Sequence, residues 1–249
     1  MKIIAVTNQK GGTGKTTSTI NIGAGLTHLG NRVLLIDLDP QANLSFSLGL
    51  NDPASMPNIH EVLQGRITLA SAIIEVNSMG LVPSSPDLVN LEMDTASARN
   101  SALLLRQALD GLLDWDYILL DCPPSYGLIT LNALTAAQEL YVPVQAEFLA
   151  LQGMSKLLET VAAVQRDHNP SLLFSGIIAT RYDQRRLLNR EVIGSLSEHF
   201  GDKLFTTLIH ENIALAEAPS FGQDIFSYRP DSNGARDYMA LCHEIMERS

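Results

Sequence analysis

The chain has 249 residues, of which 45% are hydrophobic and 18% charged, so it is long enough to bury a large core and has a globular composition. Its formal net charge of −10 excludes a surface that is basic throughout, but it is compatible with a local basic patch. The absence of any apolar run of about 18 residues argues against a membrane-spanning helix. Cys122 and Cys242 lie far apart and in no metal-ligand spacing, which together with the absence of a signal peptide favours a cytoplasmic location.

Short apolar runs alternate with helical patterns along the chain. Strands are predicted over residues 2–7, 32–37, 80–83, 117–121, 139–144, 173–180 and 203–208. Helices are predicted over about residues 16–29, 88–113, 150–168, 187–200 and 233–248, with small helices and loops over 43–79. Because the strands are apolar on both faces, the pattern predicts an α/β fold, a doubly wound, mostly parallel sheet with helices on both faces. No linker composition marks a boundary, so residues 1–249 are predicted to form a single domain.

A glycine-rich segment lies between the first predicted strand and the first predicted helix. It reads Lys10-Gly11-Gly12-Thr13-Gly14-Lys15-Thr16-Thr17. Glycines here allow a tight turn that brings backbone N–H groups against phosphate oxygens, and the following helix adds its N-terminal dipole. Lys15 is predicted to contact the β- and γ-phosphates, Thr16 to ligate Mg²⁺ and Thr17 to hydrogen-bond the α-phosphate. The segment therefore predicts a site for ATP and Mg²⁺.

The segment departs from the usual phosphate-loop pattern at its start. Gln9 stands where that pattern has its first glycine, and Lys10 follows as a second cation with no acidic partner in the local sequence. Taken alone, Lys10 is equally well explained as a solvated loop residue. With the glycines and Lys15 beside it, the segment resembles the loop of the deviant Walker A ATPases. That resemblance implies that Lys10 reaches the nucleotide of a partner subunit, so that ATP lies in the interface of a homodimer.

Two further stretches are similar to motifs of the same family. Leu34–Asn43 resembles the first switch motif, and Asp39 in it resembles the residue that positions the attacking water. Leu119–Ser125 resembles the Walker B and second switch motifs, and Asp121 in it is expected to hold Mg²⁺ through water. Either aspartate alone would be read as a cap or turn residue. Beside a phosphate loop they indicate catalysis by positioning and charge neutralisation, with Lys10 and Lys15 as the cations.

The second half of the chain resembles the ParA/Soj-type partition ATPases. The segments that carry this resemblance are Leu131–Ala137, Val142–Gly153 and Leu215–Gly222. Without an N-terminal helix-turn-helix extension, the chain is similar to the short form of the family. The tail over residues 240–249 is short and not basic, so membrane binding through a basic helix is not expected.

One segment departs from the family's pattern. Where the short partition ATPases usually read Pro-Arg-Asn-Val-Arg-Leu, this chain reads His210-Glu211-Asn212-Ile213-Ala214-Leu215. Both arginines, which the family uses for nonspecific DNA binding, are missing. Asn212 resembles the residue that helps to hold the adenine, and the backbone of His210 can serve where the family has proline.

Four arginines after the predicted strand over residues 173–180 could form a cationic surface in place of the two missing arginines. Arg181, Arg185, Arg186 and Arg190 occur at near-helical spacing and are candidates for contacts with the phosphate backbone of double-stranded DNA. A solvated helix face explains the same spacing equally well.

The sequence thus leaves two main functions open. The first is a slow ATPase that dimerises with ATP, binds nucleoid DNA nonspecifically and partitions chromosome or plasmid cargo, with hydrolysis stimulated by a ParB-like partner. The second is the same switch positioning a protein assembly, such as a chemoreceptor array, flagellar machinery or a microcompartment, with weak or no DNA binding. A metallocentre-insertion ATPase is a third and less favoured hypothesis, because the sequence has no paired cysteines or histidine cluster.

Overall fold

A computed structural model describes residues 1–91, 101–147 and 150–248. Its core is a seven-stranded sheet in the order β3-β4-β2-β5-β1-β6-β7. The strands are β1 Lys2–Val6, β2 Val33–Asp37, β3 Ile74–Val76, β4 Met79–Val82, β5 Tyr117–Asp121, β6 Glu139–Gln145 and β7 Leu173–Thr180. All neighbouring pairs are parallel except β3 and β4. The predicted fold class is therefore confirmed.

The helices pack on both faces of this sheet. They are α1 Lys15–His28, α2 Asn43–Ser47, α3 Ile59–Leu63, α4 Leu104–Leu109, α5 Leu128–Ala136, α6 Ala150–Asp167, α7 Leu187–Phe200, α8 Ile213–Glu217, α9 Ile225–Tyr228 and α10 Asn233–Glu247. Alternate residues of each central strand belong to two separate apolar clusters. Leu34 and Ile118 pack with α3 to α7, and Leu35 and Leu119 pack with α1 and α10. Burial on both faces explains why these strands read as continuous apolar runs.

Two predicted elements differ from the structure. The predicted strand over residues 203–208 is a 3₁₀ turn, Gly201–Lys203, followed by an extended segment that touches β7 through a bridge from Leu204 to Ile177. The backbone amides of Thr206 and Thr207 donate to the carboxylate of Glu244 instead of to a strand. A side chain thus takes the hydrogen bonds that would have continued the ladder.

The predicted helix over residues 88–113 is shorter where it is described. Pro86–Asn90 forms a 3₁₀ helix and α4 covers only Leu104–Leu109, while residues 92–100 lie outside the described part of the chain. Gly111, at φ 87°, follows the end of α4. Helix α5 was not predicted, because it is apolar nearly all round and buries seven of its nine residues, so no amphipathic period marks it.

Parallel strands bring their carboxyl ends to one edge of the sheet, and this edge carries the candidate site. Asp121 at the end of β5 pairs in register with Val6 of β1 and with Asp37 of β2. The ends of β6 and β7, at Gln145 and Thr180, lie on the other side of β1 in the same sheet. Within the described residues, no helix combines the length and the apolar character needed to cross a bilayer.

Candidate nucleotide-binding site

The glycine-rich loop lies between β1 and α1 with a backbone that only glycine adopts easily. Gly12 and Gly14 have φ of 73° and 88°, and Gly14 caps α1 in the left-handed conformation. Helix α1 begins at Lys15, so its first backbone N–H groups and its positive dipole end face the loop. A phosphate group in the loop would meet both.

Neighbouring strand ends hold this loop in place. The Gln145 amide donates to Gly12 O at 2.6 Å, and the Thr180 hydroxyl donates to Thr13 O at 2.9 Å. Asn8 accepts from Lys10 N at 3.0 Å and donates to Pro143 O at 2.7 Å. Residues of β6 and β7 therefore hold the loop in place.

The two lysines of the loop have opposite surroundings. Lys15 is buried, and its Nζ donates to Lys10 O at 3.4 Å. Burial lowers the pKa of Lys15, an effect opposed by the nearby Asp121 and Asp39. Lys10 is 42% exposed, and its Nζ lies 2.6 Å from Glu147 Oε2. The acidic partner that the local sequence lacks thus comes from the loop after β6, and its contact with Lys10 lowers the pKa of Glu147.

Asp121 lies at the centre of the site and is fully buried. It accepts hydrogen bonds from the hydroxyls of Thr16 at 2.7 Å and of Thr19 at 3.3 Å. Burial, followed by the charge of Asp37, raises the pKa of Asp121 to about 8. The charge of Lys15 offsets part of this effect, and a divalent cation beside Thr16 would stabilise the ionised carboxylate further.

Asp37 and Asp39 follow each other at the end of β2 with different roles in the packing. Asp37 is fully buried and accepts from the Ser45 backbone and hydroxyl at 2.9 and 2.7 Å, and burial raises its pKa to about 7. Asp39 accepts from Gln41 N at 2.9 Å and lines the cavity over the glycine loop. Of the two, Asp39 is the one placed to meet a bound molecule.

Two adjoining cavities surround the loop. One of about 480 Å³ is lined by loop residues, Asp39 and Pro124, and the other of about 420 Å³ by Gly12, Gly14, Thr17 and residues 209–213. A larger cleft of about 830 Å³ lies by the amino ends of β6 and β7 and contains no residue of the loop. Because phosphate binding depends on the loop amides, the two smaller cavities form the candidate site.

The second cavity contains the residues expected to hold the base. His210 and Asn212 both line it, and Asn212 also caps α8 by accepting from Ala214 N at 2.8 Å. Asp237 of α10 accepts from His210 N at 2.9 Å and lies 3.0 Å from His210 Nδ1. This residue of the last helix therefore orients the wall of the cavity.

The arginines do not lie on one helix as their spacing suggested. Arg181 has a positive φ of 51° just after β7, Arg185 and Arg186 precede α7, and only Arg190 lies within it. Arg181 and Arg186 lie 3.4 and 2.8 Å from the carboxylate oxygens of Glu211. Arg185 lies 3.0 Å from Asp183. The arginines share one surface, but acidic residues neutralise three of them.

Several residues of the site had no predicted role. They are Gln145, Glu147, Thr180, Asn189, Glu211 and Asp237, and each acts through a contact that joins distant parts of the chain. Gln145 and Glu147 lie within a segment that resembles the family, and this resemblance is the only feature of the sequence that indicates a role for them. The sequence around Asp237 has no feature that indicates a role in the site.

The residues present fit Mg²⁺ and ATP. The loop presents backbone amides and Lys15 to phosphates, and Thr16 and Asp121 present hard oxygen atoms beside them. The burial of the Asp121 carboxyl and its contact with the Thr16 hydroxyl are the observations that favour a cation there. The adjoining cavity continues from Gly12, Gly14 and Thr17 and is the candidate site for a base and ribose.

Comparison with known proteins agrees with this geometry. A family model described as an AAA domain matches residues 1–174. The chain is 46% identical over 247 residues to the chromosome-partitioning ATPase Soj of Thermus thermophilus, covering 98% of this chain and 95% of that protein. It is 38% identical over 253 residues to the chromosome partitioning protein ParA of Caulobacter vibrioides, covering 100% and 95%.

A solved structure shows the same fold with nucleotide bound. The protein described as cobyrinic acid a,c-diamide synthase of Mycobacterium smegmatis, with ADP and magnesium, superposes with a TM-score of 0.87 at 36% identity over 99% of this chain and 94% of that one. The resemblance noted in the motifs thus extends over the whole chain, and the Mycobacterium smegmatis protein is also solved with a bound ATP analogue and magnesium. The chain belongs to the ParA/Soj family of chromosome-partitioning P-loop ATPases.

Proposed function

We propose that this protein is an ATP-dependent dimer switch that partitions or positions cargo along nucleoid DNA. The observation that carries the proposal is the difference in burial and contacts between Lys10 and Lys15. Lys15 is buried in its own phosphate loop, whereas Lys10 is exposed and held by Glu147. A lysine at the surface beside the cavity is available for a nucleotide bound by a second copy.

Within each subunit the roles are proposed as follows. Gly11 to Thr17 hold the phosphates, with Lys15 neutralising their charge and Thr16 and Asp121 holding Mg²⁺. Asp39 lines the cavity and orients the attacking water, and His210 and Asn212 hold the base. Mg²⁺ supplies charge neutralisation when bound, and the protein supplies position. Slow hydrolysis, accelerated by a ParB-like partner, gives the switch its lifetime.

DNA is the proposed track, and the arginine surface formed by Arg181, Arg185, Arg186 and Arg190 is the proposed contact. In the described part of the chain, no carboxylate pairs with Arg190, whereas Arg181, Arg185 and Arg186 each have an acidic partner. The net positive charge of this surface is therefore smaller than that of four unpaired arginines, and its attraction for DNA is weaker. This neutralisation favours the second candidate function, positioning of a protein assembly with little or no DNA binding.

Binding to random-sequence duplex DNA distinguishes the two candidates. The Asp39→Ala variant, chosen to slow hydrolysis, is measured with ATP, with ADP and without nucleotide, while light scattering follows the dimer. The first function requires a dimer with ATP only, and DNA retention by that dimer which weakens steeply with salt. A dimer that forms with ATP but retains no DNA would support the second candidate function, positioning of a protein assembly. A protein that stays monomeric with ATP would disprove both.

A further inference from the structure

Glu211 lies between the nucleotide cavity and the arginine surface. Its Oε1 is 3.4 Å from Arg181 Nη2, and its Oε2 is 2.8 Å from Arg186 Nη2. Its backbone N–H donates to Tyr182 O at 3.0 Å, which fixes the segment against the end of β7. Glu211 and Arg181 also line the cavity assigned to the base. One carboxylate thus holds two cations at the rim of the nucleotide site.

These contacts are open to solvent. The side chains of Arg181, Arg186 and Glu211 are 61%, 57% and 40% exposed. Ion pairs at such exposure add little net stability, because water solvates the separated charges well and the pair restricts long side chains. Another anion can therefore replace Glu211 at small cost.

The other acidic residue of the surface has a different place in the structure. Asp183 lies in the same loop as its partners, holding Arg185 by two contacts of 3.0 Å and Arg186 at 3.5 Å. Its backbone N–H is fixed by Asn189 at 2.9 Å, and the contacts of Arg185 hold the pKa of Asp183 at about 2. Asp183 therefore stabilises the conformation of its own loop. Glu211, in contrast, contacts the arginines from a separate segment, where it lies between the two residues proposed to hold the base.

We propose that Glu211 is a built-in counter-ion that competes with the phosphate backbone of duplex DNA for Arg181 and Arg186. DNA binds this surface by taking over the two guanidinium groups, which present the planar donors that suit phosphate oxygens. The inference rests on the proposed function in taking DNA as the ligand. Because Glu211 lies between His210 and Asn212, nucleotide and DNA act on the same short segment.

The test compares Glu211→Gln with Glu198→Gln, which makes the same charge change on an exposed position of α7 away from the ion pairs. Affinity for a random-sequence duplex is measured by fluorescence anisotropy between roughly 50 and 200 mM salt, without nucleotide and with ATP. With ATP, Glu211→Gln is expected to bind about 3- to 10-fold more tightly than wild type, with a salt dependence steeper by about one to two phosphate contacts. Glu198→Gln is expected to stay within about twofold of wild type.

Equal gains in the two variants would overturn the proposal, since they would reflect net charge alone. So would a Glu211→Gln protein that binds no more tightly than wild type, including one that fails to bind at the lowest salt. Adding Arg181→Gln and Arg186→Gln to Glu211→Gln must remove the gain. Dimerisation with ATP is followed in parallel by light scattering. A normal dimer without the Glu211→Gln gain would defeat this inference only, and a missing dimer would defeat the proposed switch.

Discussion

Lys10 and Glu147 are 137 residues apart in the chain, yet Lys10 Nζ lies 2.6 Å from Glu147 Oε2. The pair joins the start of the phosphate loop to the loop after β6 within one subunit. If Lys10 acts on the nucleotide of a partner, this contact has to be exchanged during dimerisation. The pair then sets part of the balance between monomer and dimer.

The first prediction follows from that exchange. Glu147→Gln removes the charge that holds Lys10, so the dimer should form at an ATP concentration up to about fivefold lower, the range expected of an exposed ion pair. Lys10→Gln should fail to dimerise. Sedimentation velocity over an ATP titration measures both. Glu159→Gln, an exposed position on α6, serves as the control with matched charge. Weaker dimerisation of Glu147→Gln would mean that Glu147 supports the dimer instead of restraining Lys10.

The second prediction concerns Asp39. Asp39→Ala removes the carboxylate that lines the cavity while leaving the phosphate loop intact, so ATP binding should change by less than about threefold and hydrolysis should fall at least about 100-fold. Phosphate release and calorimetric ATP binding separate the two effects. Asp52→Ala, at an exposed position outside the site, should retain both. Equal losses in binding and turnover would assign Asp39 to substrate binding.

The third prediction is a dependence of stability on pH. Burial raises the pKa of Asp37 to about 7 and that of Asp121 to about 8, above the value of 3.8 that both carboxyls have without these surroundings. The folded protein therefore keeps these protons to higher pH than the unfolded chain does. Their contribution is fully present below pH 3.8 and is lost as pH rises through 7 and 8.

Thermal unfolding of the nucleotide-free protein should accordingly shift to lower temperature between about pH 5 and pH 8.5, by several degrees. Asp121→Asn removes one titrating group and should make this slope shallower. Mg²⁺ with ATP should also reduce it, since the cation stabilises the ionised carboxylate. A midpoint that rises over the same pH range would show that other groups control the stability.

Local patterns were enough to predict which residues the structure brings together at the centre of the candidate site. Gly12 and Gly14 lie in a loop whose spacing is set by phosphate contacts, and Asp121 ends an apolar strand that the parallel sheet brings beside that loop. In both cases the information lies within a few residues of chain. The carboxyl edge of a parallel sheet then places the strand ends together without further detail.

Contacts between distant segments could not be predicted in this way. The partner of Lys10 comes from the loop after β6, and nothing in the spacing of either segment indicates the pair. The helical reading of the arginines was wrong because Arg181 takes a positive φ of 51° and Asp183 binds Arg185, which makes a turn before α7 begins. The spacing of the arginines alone does not indicate this turn, because the turn is formed by Asp183, which is not part of the arginine pattern.

The last prediction tests the pair formed by His210 and Asp237. Asp237 accepts from both His210 N and the imidazole, and so fixes a wall of the base cavity from α10. Asp237→Ala leaves these donors without their acceptor and frees the segment over 210–212. ADP and ATP should therefore bind about 3- to 10-fold more weakly, the loss that corresponds to one ordinary hydrogen bond. Arg236→Ala changes the adjacent residue of α10 and should bind both nucleotides as wild type does. Isothermal titration calorimetry compares the three proteins.

If Asp237→Ala keeps wild-type affinity for both nucleotides, the contact between His210 and Asp237 does not contribute to nucleotide binding. The base is then held by Asn212 and the backbone without help from α10, because the loss of the acceptor for His210 would not have weakened binding.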